Sequence, residues 1–244
     1  MDIFQTVLTQ PIFNLLVFLY NTIPGSDMGF AIISLTIIIK LVLWPFMNSS
    51  LKSQKALQEL QPKVEEIKER YKDDKEGLAK AMMELYQQEK VNPFSSCLPL
   101  LIQFPILIAL YHVLLRGFDP ASLDLLYRFV ANPGEIQNMF LGFLDLSVSN
   151  VWLAVIAGVF QFFQTRMLMS KRPPKVVAGT KGAKDESMLA SMNKSMMYFM
   201  PIMTVLIGMS LPGGLALYWV TVTVVSIVQQ YIVFRGSKKD QVES

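Results

Sequence analysis

The sequence predicts an all-α integral membrane protein: five transmembrane helices around a cytoplasm-open hydrophilic groove, with a cytoplasmic helical hairpin. Three observations predict it. The 244 residues are 52% hydrophobic and only 17% charged, below the roughly 25% typical of soluble domains, and the apolar residues are gathered into long blocks. Basic residues fall in alternate connecting segments. One lysine, Lys40, stands inside an otherwise almost wholly apolar run, Gly29–Met47.

A helix rises about 1.5 Å per residue, so roughly 20 apolar residues cross the hydrocarbon. Segments 28–47, 95–116, 151–169, 196–211 and 215–234 qualify or nearly qualify as spans one to five. The fourth is short, and Met188–Tyr198 can extend it as helix. Pro212-Gly213-Gly214 makes the reversal before the fifth.

The basic residues orient these spans. Residues 1–39 hold no Lys or Arg, Asn48–Phe94 hold nine, and Gly117–Asn150 hold only Arg128. Ser170–Ser195 hold Lys171, Arg172, Lys175, Lys181, Lys184 and Lys194, and the tail from 235 to 244 adds Arg235, Lys238 and Lys239. Basic loops stay cytoplasmic. The N-terminus is therefore expected outside and the C-terminus in the cytoplasm.

Between the spans, each segment has its own pattern. In 1–27, Pro11–Tyr20 is too short to cross, and Ile12, Leu15, Leu16 and Leu19 share a face, which predicts an interfacial helix on the outer leaflet. No secretory signal pattern is visible there. In 48–94, Leu57, Leu60, Val64, Ile67 and Tyr71 alternate steps of three and four, Asp73–Gly77 supplies a turn, and Leu78, Met82 and Leu85 resume the seam. That is a coiled-coil hairpin with solvated charged faces. The outer loop 117–150 stays fairly apolar and is expected to pack on the membrane surface or over the bundle. Segment 170–195 is expected to be a flexible cytoplasmic loop.

The chemistry lies in polar residues at a common depth. A charge at membrane depth costs roughly 2.5–3.5 kcal/mol on insertion scales and marks a bundle interior or a watery cavity. Lys40, Gln103, Gln161, Gln164, Ser226 and Gln230 stand on four spans, each roughly 6–12 Å from the cytoplasmic edge by the helical rise. Thr36 shares the face of Lys40. Trp219, Thr223, Ser226 and Gln230 form a stripe on the last span. A polar stripe in hydrocarbon must find partners or water, and a recess open to the cytoplasm supplies them. Two blander placements stay open: Lys40 can snorkel to the headgroups, and the glutamines can glue helices together. Met188, Met192, Met196, Met200 and Met203 add a stripe at helical spacing, read either as packing or as an adaptable apolar wall.

Other chemistries find little support. One histidine, His112, and one cysteine, Cys97, give little scope for a metal and none for an internal disulfide. No nucleotide motif is present. No catalytic residue, metal or cofactor is expected, and the chain is not read as an enzyme. A small-solute transporter or channel is the rival reading, but no Asp or Glu lies inside the five spans to couple a cation.

Three stretches, GFAIISLTIIIKLVLWPF (29–46), NPFSSCLPLLIQFPILIALYHVL (92–114) and LPGGLALYWVTVTVVSIVQQ (211–230), together resemble the YidC/Oxa/Alb family of membrane protein insertases. The resemblance is to a short bacterial form without the large periplasmic domain. It implies five core helices around a groove open to cytoplasm and lipid. It also implies insertion of hydrophobic segments of nascent proteins into the bacterial inner membrane without nucleotide hydrolysis. Nascent membrane proteins and the bilayer are the implied partners, with the Sec translocon and the ribosome as candidates. On this resemblance the family's groove arginine falls on Lys40, its threonine on Thr36 and its substrate-contacting aromatic on Trp219, with Tyr218 beside it. Gln164 matches its third-helix glutamine. Lysine keeps the charge but lacks the planar fork of guanidinium.

Overall fold

The structure is a computed structural model and describes residues 3–72, 74–92, 95, 98–117, 120–168 and 197–240. It is helical nearly throughout. A π-helical turn, Gln5–Thr9, leads into α1 (Gln10–Thr22); α2 (Met28–Val42), α3 (Trp44–Glu59), α4 (Gln61–Arg70), α5 (Lys75–Gln88) and α6 (Leu98–Gly117) follow. After a 3₁₀ turn, Pro120–Leu125, come β1 (Met139–Phe140) and β2 (Leu144–Asp145), then α7 (Val151–Leu168), α8 (Met197–Gly208) and α9 (Gly213–Asp240). Among the described residues α7 and the Gly213–Arg235 part of α9 are each long and apolar enough to cross a membrane. The pair α2 and α3 passes that test only together, and Leu101–Leu115 of α6 and α8 are shorter apolar helices.

The chain divides into two compact units: Met1–Trp44, Leu100–Gln161 and Pro201–Ser226 form the first; Pro45–Pro99, Phe162–Met200 and Ile227–Ser244 form the second. The first holds the main apolar core, in which Ala31, Ile32, Leu35, Leu110, Leu114, Leu146 and Leu215 are almost fully buried. One end of this unit is tightly knitted. Asp27 caps α2 by accepting from Phe30 N at 3.0 Å, and its second oxygen accepts from Leu141 N at 2.6 Å. The first two amides of α9 have no helical acceptor; Gly213 N donates to Val148 O at 2.8 Å and Gly214 N to Leu146 O at 3.0 Å. The approach is close at both positions: a Cβ would stand 3.1 Å from Val148 O at Gly213 and 3.1 Å from Leu114 Cδ1 at Gly214, so a larger residue requires its neighbour to shift by a few tenths of an ångström. The starts of α2, α7 and α9 and the C-terminal end of α6 therefore lie together.

Segment 120–137 is clipped onto α1. Asn14, 3% exposed, donates to Leu125 O at 3.1 Å and accepts from Tyr127 N at 2.6 Å. Gln10 also donates to Leu125 O, Asn21 donates to Ala131 O, and Gln137 N donates to Tyr20 Oη. α1 buries Ile12, Phe13, Leu16, Val17 and Tyr20 and packs on α2. The buried face thus takes Ile12 and Leu16 from the predicted set, while Leu15 and Leu19 stand at its margin.

In the second unit α4 lies against α5. Asp74 caps α5 by accepting from Gly77 N at 2.9 Å, and Lys63 pairs with Glu89 across the hairpin. The seam expected as continuous from Leu57 to Tyr71 is divided at Leu60, where α3 ends and α4 begins. Pro62 is the cause: a proline inside a helix removes an amide donor and collides with the carbonyl one turn back, but is at home in a first turn. Pro45 acts likewise, since the helix expected over 28–47 ends at Val42 and a new one starts at Trp44. Three further differences appear. α9 continues through Asp240, beyond the expected boundary at 234; Gly213 and Gly214 belong to its first turn; and the outer loop holds a two-stranded hairpin. Cys97, Met188, Met192 and the whole of segment 170–195 lie outside the described residues.

Candidate functional site

Lys40 stands in the last turn of α2 and is 5% exposed. Its Nζ donates to Ser226 Oγ at 2.8 Å. The ammonium is thus turned to α9 rather than away from the protein. Among the described residues it has no carboxylate partner; the ion pairs there are Lys55–Glu59, Lys63–Glu89 and Arg70–Glu66. A buried cation with one neutral hydrogen bond is under-compensated, because removing a charge from water costs several kcal/mol by order of magnitude.

The hydroxyls around it share one arrangement. Ser226 donates to Val222 O at 2.7 Å, Thr223 to Trp219 O at 2.8 Å, and Thr36 to Ile32 O at 2.6 Å. Each hydroxyl proton is committed one turn back along its own helix, which leaves the oxygen lone pairs as acceptors. Ser226 uses one of them for Lys40. Thr36 and Thr223 are almost fully buried, and Trp219 is half-buried.

Gln103 and Tyr218 meet each other. The Gln103 amide donates to the Tyr218 hydroxyl, joining α6 to α9, and the Tyr218 ring lies in the core. This is the interhelical glue left open by the sequence. Gln161 and Met203, also in the first unit, are half-buried.

Gln164, Gln230 and Met200 belong to the second unit. Gln164 is half-buried and Met200 exposed, while Met196 lies outside the described residues. Gln230 is 3% exposed and its Oε1 has no hydrogen-bond partner among the described residues. Its neighbour Gln229 donates to Asn48 Oδ1 at 2.8 Å. Ser50 donates to Ser95 O at 2.6 Å, and Gln58 donates to Leu168 O. These bonds anchor the base of the hairpin, and sequence reasoning missed them. The available signal was the polar run Asn48-Ser49-Ser50, which follows an apolar span without a turn residue.

With this arrangement in view, comparison with known proteins is informative. A family model described as 60Kd inner membrane protein matches residues 18–241. The chain belongs to this family.

Relatives named membrane protein insertase YidC resemble it along most of its length. One from Fusobacterium nucleatum is 35% identical over 230 residues, 92% of this chain and 97% of that protein. One from Shewanella halifaxensis is 36% identical over 234 residues, 95% of this chain and 37% of that protein. One from Geobacter sulfurreducens is 33% identical over 232 residues, 94% of this chain and 38% of that protein. The chain thus spans nearly all of the first relative and under two fifths of the other two. As a member of the 60Kd inner membrane protein family it is a mostly helical membrane protein, in keeping with its composition and its apolar helices.

Proposed function

We propose that this chain is a membrane protein insertase, which moves hydrophobic segments of nascent proteins from the cytoplasm into the bilayer through a hydrated groove between five spans. The observation that carries this reading is the buried ammonium of Lys40, held by Ser226 with no described counter-ion. A site of that kind attracts an acidic residue transiently and releases it, whereas a resident carboxylate would neutralise it. The second lone pair of the partly exposed Ser226 accepts from a backbone N–H group of an extended substrate, while Thr36 and Thr223, almost fully buried, are reached only when the helices part. Gln161 adds an amide, and Trp219 and Met203 offer adaptable apolar surface as the segment leaves for lipid.

The reaction makes no covalent bond. A polar tail crosses part of the hydrocarbon in a polar recess, so the barrier falls. The apolar segment then enters lipid, with roughly 25 cal/mol per Å² of buried apolar surface as driving force. On this reading the N-terminus lies outside the inner membrane and the hairpin 48–94 receives substrate in the cytoplasm. The Sec translocon and the ribosome are candidate partners.

The test is insertion of single-span proteins with acidic translocated tails into proteoliposomes. Lys40→Ala is expected to reduce it at least tenfold and Lys40→Arg to preserve it. Undiminished insertion by the alanine variant overturns the charge role.

A further inference from the structure

The hairpin of β1 and β2 carries a feature that the insertion reading does not use. Its strands pair Met139 with Asp145 and Phe140 with Leu144, and Leu141, Gly142 and Phe143 form the tip. Leu141 and Gly142 both adopt positive φ, +55° and +76°. Such turns favour Asn, Asp or Gly at the first of these positions, and a leucine there is strained because its Cβ crowds the following carbonyl oxygen. Turn chemistry therefore does not explain the leucine. Leu141 is nevertheless 52% exposed and Phe143 is 74% exposed.

The root of the hairpin fixes the level of its tip. Leu141 N is bonded to Asp27, the cap of α2, and Phe140 packs edge-on against Phe30 with ring centroids 5.4 Å apart. Leu146 O and Val148 O accept from the first amides of α9. Asn150 caps α7 by accepting from Leu153 N at 3.0 Å. The hairpin is thus tied to the starts of three apolar helices, two of them long enough to span. The exposed face of α7 begins beside it, with Val151, Trp152, Val155, Ile156 and Val159, and Trp152 is 77% exposed. Tryptophan at the end of a span is the usual marker of the headgroup level.

We propose that the hairpin tip, Leu141 and Phe143, is a lipid anchor that dips into the headgroup–acyl boundary of the leaflet at which α2, α7 and α9 begin. The occupant of this surface is lipid because the hairpin is tied to the starts of α2 and α9 and leads within a few residues into α7, a helix long enough to span with an exposed apolar face. Two tip amides are already satisfied, Leu141 N by Asp27 and Phe143 N by Phe140 O at 3.3 Å. Immersion therefore strands fewer polar groups than an open loop would. The leucine's backbone strain is offset by apolar surface removed from water.

A nitroxide at position 143 tests this, using Phe143→Cys in a Cys97→Ser background reconstituted into phosphatidylethanolamine–phosphatidylglycerol vesicles. Collision with oxygen is expected to exceed collision with a nickel chelate several-fold, whereas a label at Asn132 shows the reverse. Adding Leu141→Asn, which suits the turn, is expected to shift the 143 label toward water while thermal stability holds or rises. A label at 143 as open to the nickel chelate as that at Asn132 overturns the proposal. A label shielded from both reagents also overturns it, because the tip then packs on protein.

Discussion

Lys40 and Ser226, 186 residues apart, are joined by a 2.8 Å hydrogen bond, and Ser226 donates its own hydroxyl hydrogen bond to Val222 O. The serine can face the ammonium only as an acceptor, because its hydroxyl proton is already directed along α9. The cation is thereby fixed in position without being neutralised. The bond lies wholly within the first unit, so it depends on how α2 and α9 pack there.

Removing the two partners should have opposite effects on stability. Ser226→Ala takes away a hydrogen bond to a charged group, worth about 1.5–3 kcal/mol, and is expected to lower Tm in detergent. Lys40→Met removes a buried charge in exchange for an apolar side chain, a change often neutral or stabilising, so its Tm should equal or exceed that of the unaltered protein. In the Lys40→Met background, Ser226→Ala should cost little more. Thermal denaturation of the four proteins closes this cycle, and additive effects would show that the two residues do not interact.

Lys40 was legible because a lone charge in an apolar run has few interpretations. The apolar runs themselves gave the helices α2, α6, α7, α8 and α9 for the same reason: length and hydrophobicity are local quantities. The breaks at Leu43 and Leu60 were equally local, carried by Pro45 and Pro62, but the apolar run continues across the first proline and the seam periodicity across the second. The Asn14 clip was not legible, since its partners, Leu125 and Tyr127, lie 111 and 113 residues away and are backbone atoms with no side-chain signature. The Gln103–Tyr218 bond fell between these cases. Each residue looked suited to substrate, and only packing brought them to each other.

Gly29 is expected to resist substitution. A Cβ there would overlap the Phe140 ring, the contact that docks the hairpin on α2. Overpacking of this kind costs typically about 1–3 kcal/mol. Gly29→Ala should therefore lower Tm, and adding Phe140→Ala should recover part of the loss although it removes an aromatic ring. A double variant less stable than both single variants would place the cause elsewhere.

The root of the hairpin should loosen only in strong acid. Ser147 donates its hydroxyl to Asp145 Oδ1 at 2.6 Å and its backbone N–H at 2.8 Å, holding this carboxyl below its ordinary value of 3.8. A depressed folded value means that the stabilisation is present above the unfolded value and disappears as pH falls through the folded one. Hydrogen-exchange protection of residues 139–147, corrected for intrinsic rates, should stay level from neutrality to near 3.8 and decline below it. Asp145→Asn should lack this decline. A midpoint above the ordinary value would contradict the assignment.

Asn14 should control the segment that contains Arg128. Its amide donates to Gln10 O at 2.9 Å and to Leu125 O, while its carbonyl oxygen accepts from Tyr127 N. Asn14→Ala leaves the Tyr127 amide without that acceptor, and an unsatisfied buried donor costs about 1–3 kcal/mol. Because 1.4 kcal/mol corresponds to about tenfold in a local opening equilibrium, trypsin should cut at Arg128 about tenfold to a hundredfold faster in the solubilised variant. Arg128 is exposed and is the sole Lys or Arg between Gly117 and Asn150, so mass spectrometry identifies the cut without ambiguity. Asn14→Asp keeps the acceptor for Tyr127 N but loses the donor to Leu125 O, which Gln10 still serves at 3.0 Å. Its cleavage rate should fall between the other two. Equal rates for all three proteins would mean that the loop is held by its apolar contacts, Val130 and Leu146 foremost, and that the Asn14 hydrogen bonds only follow.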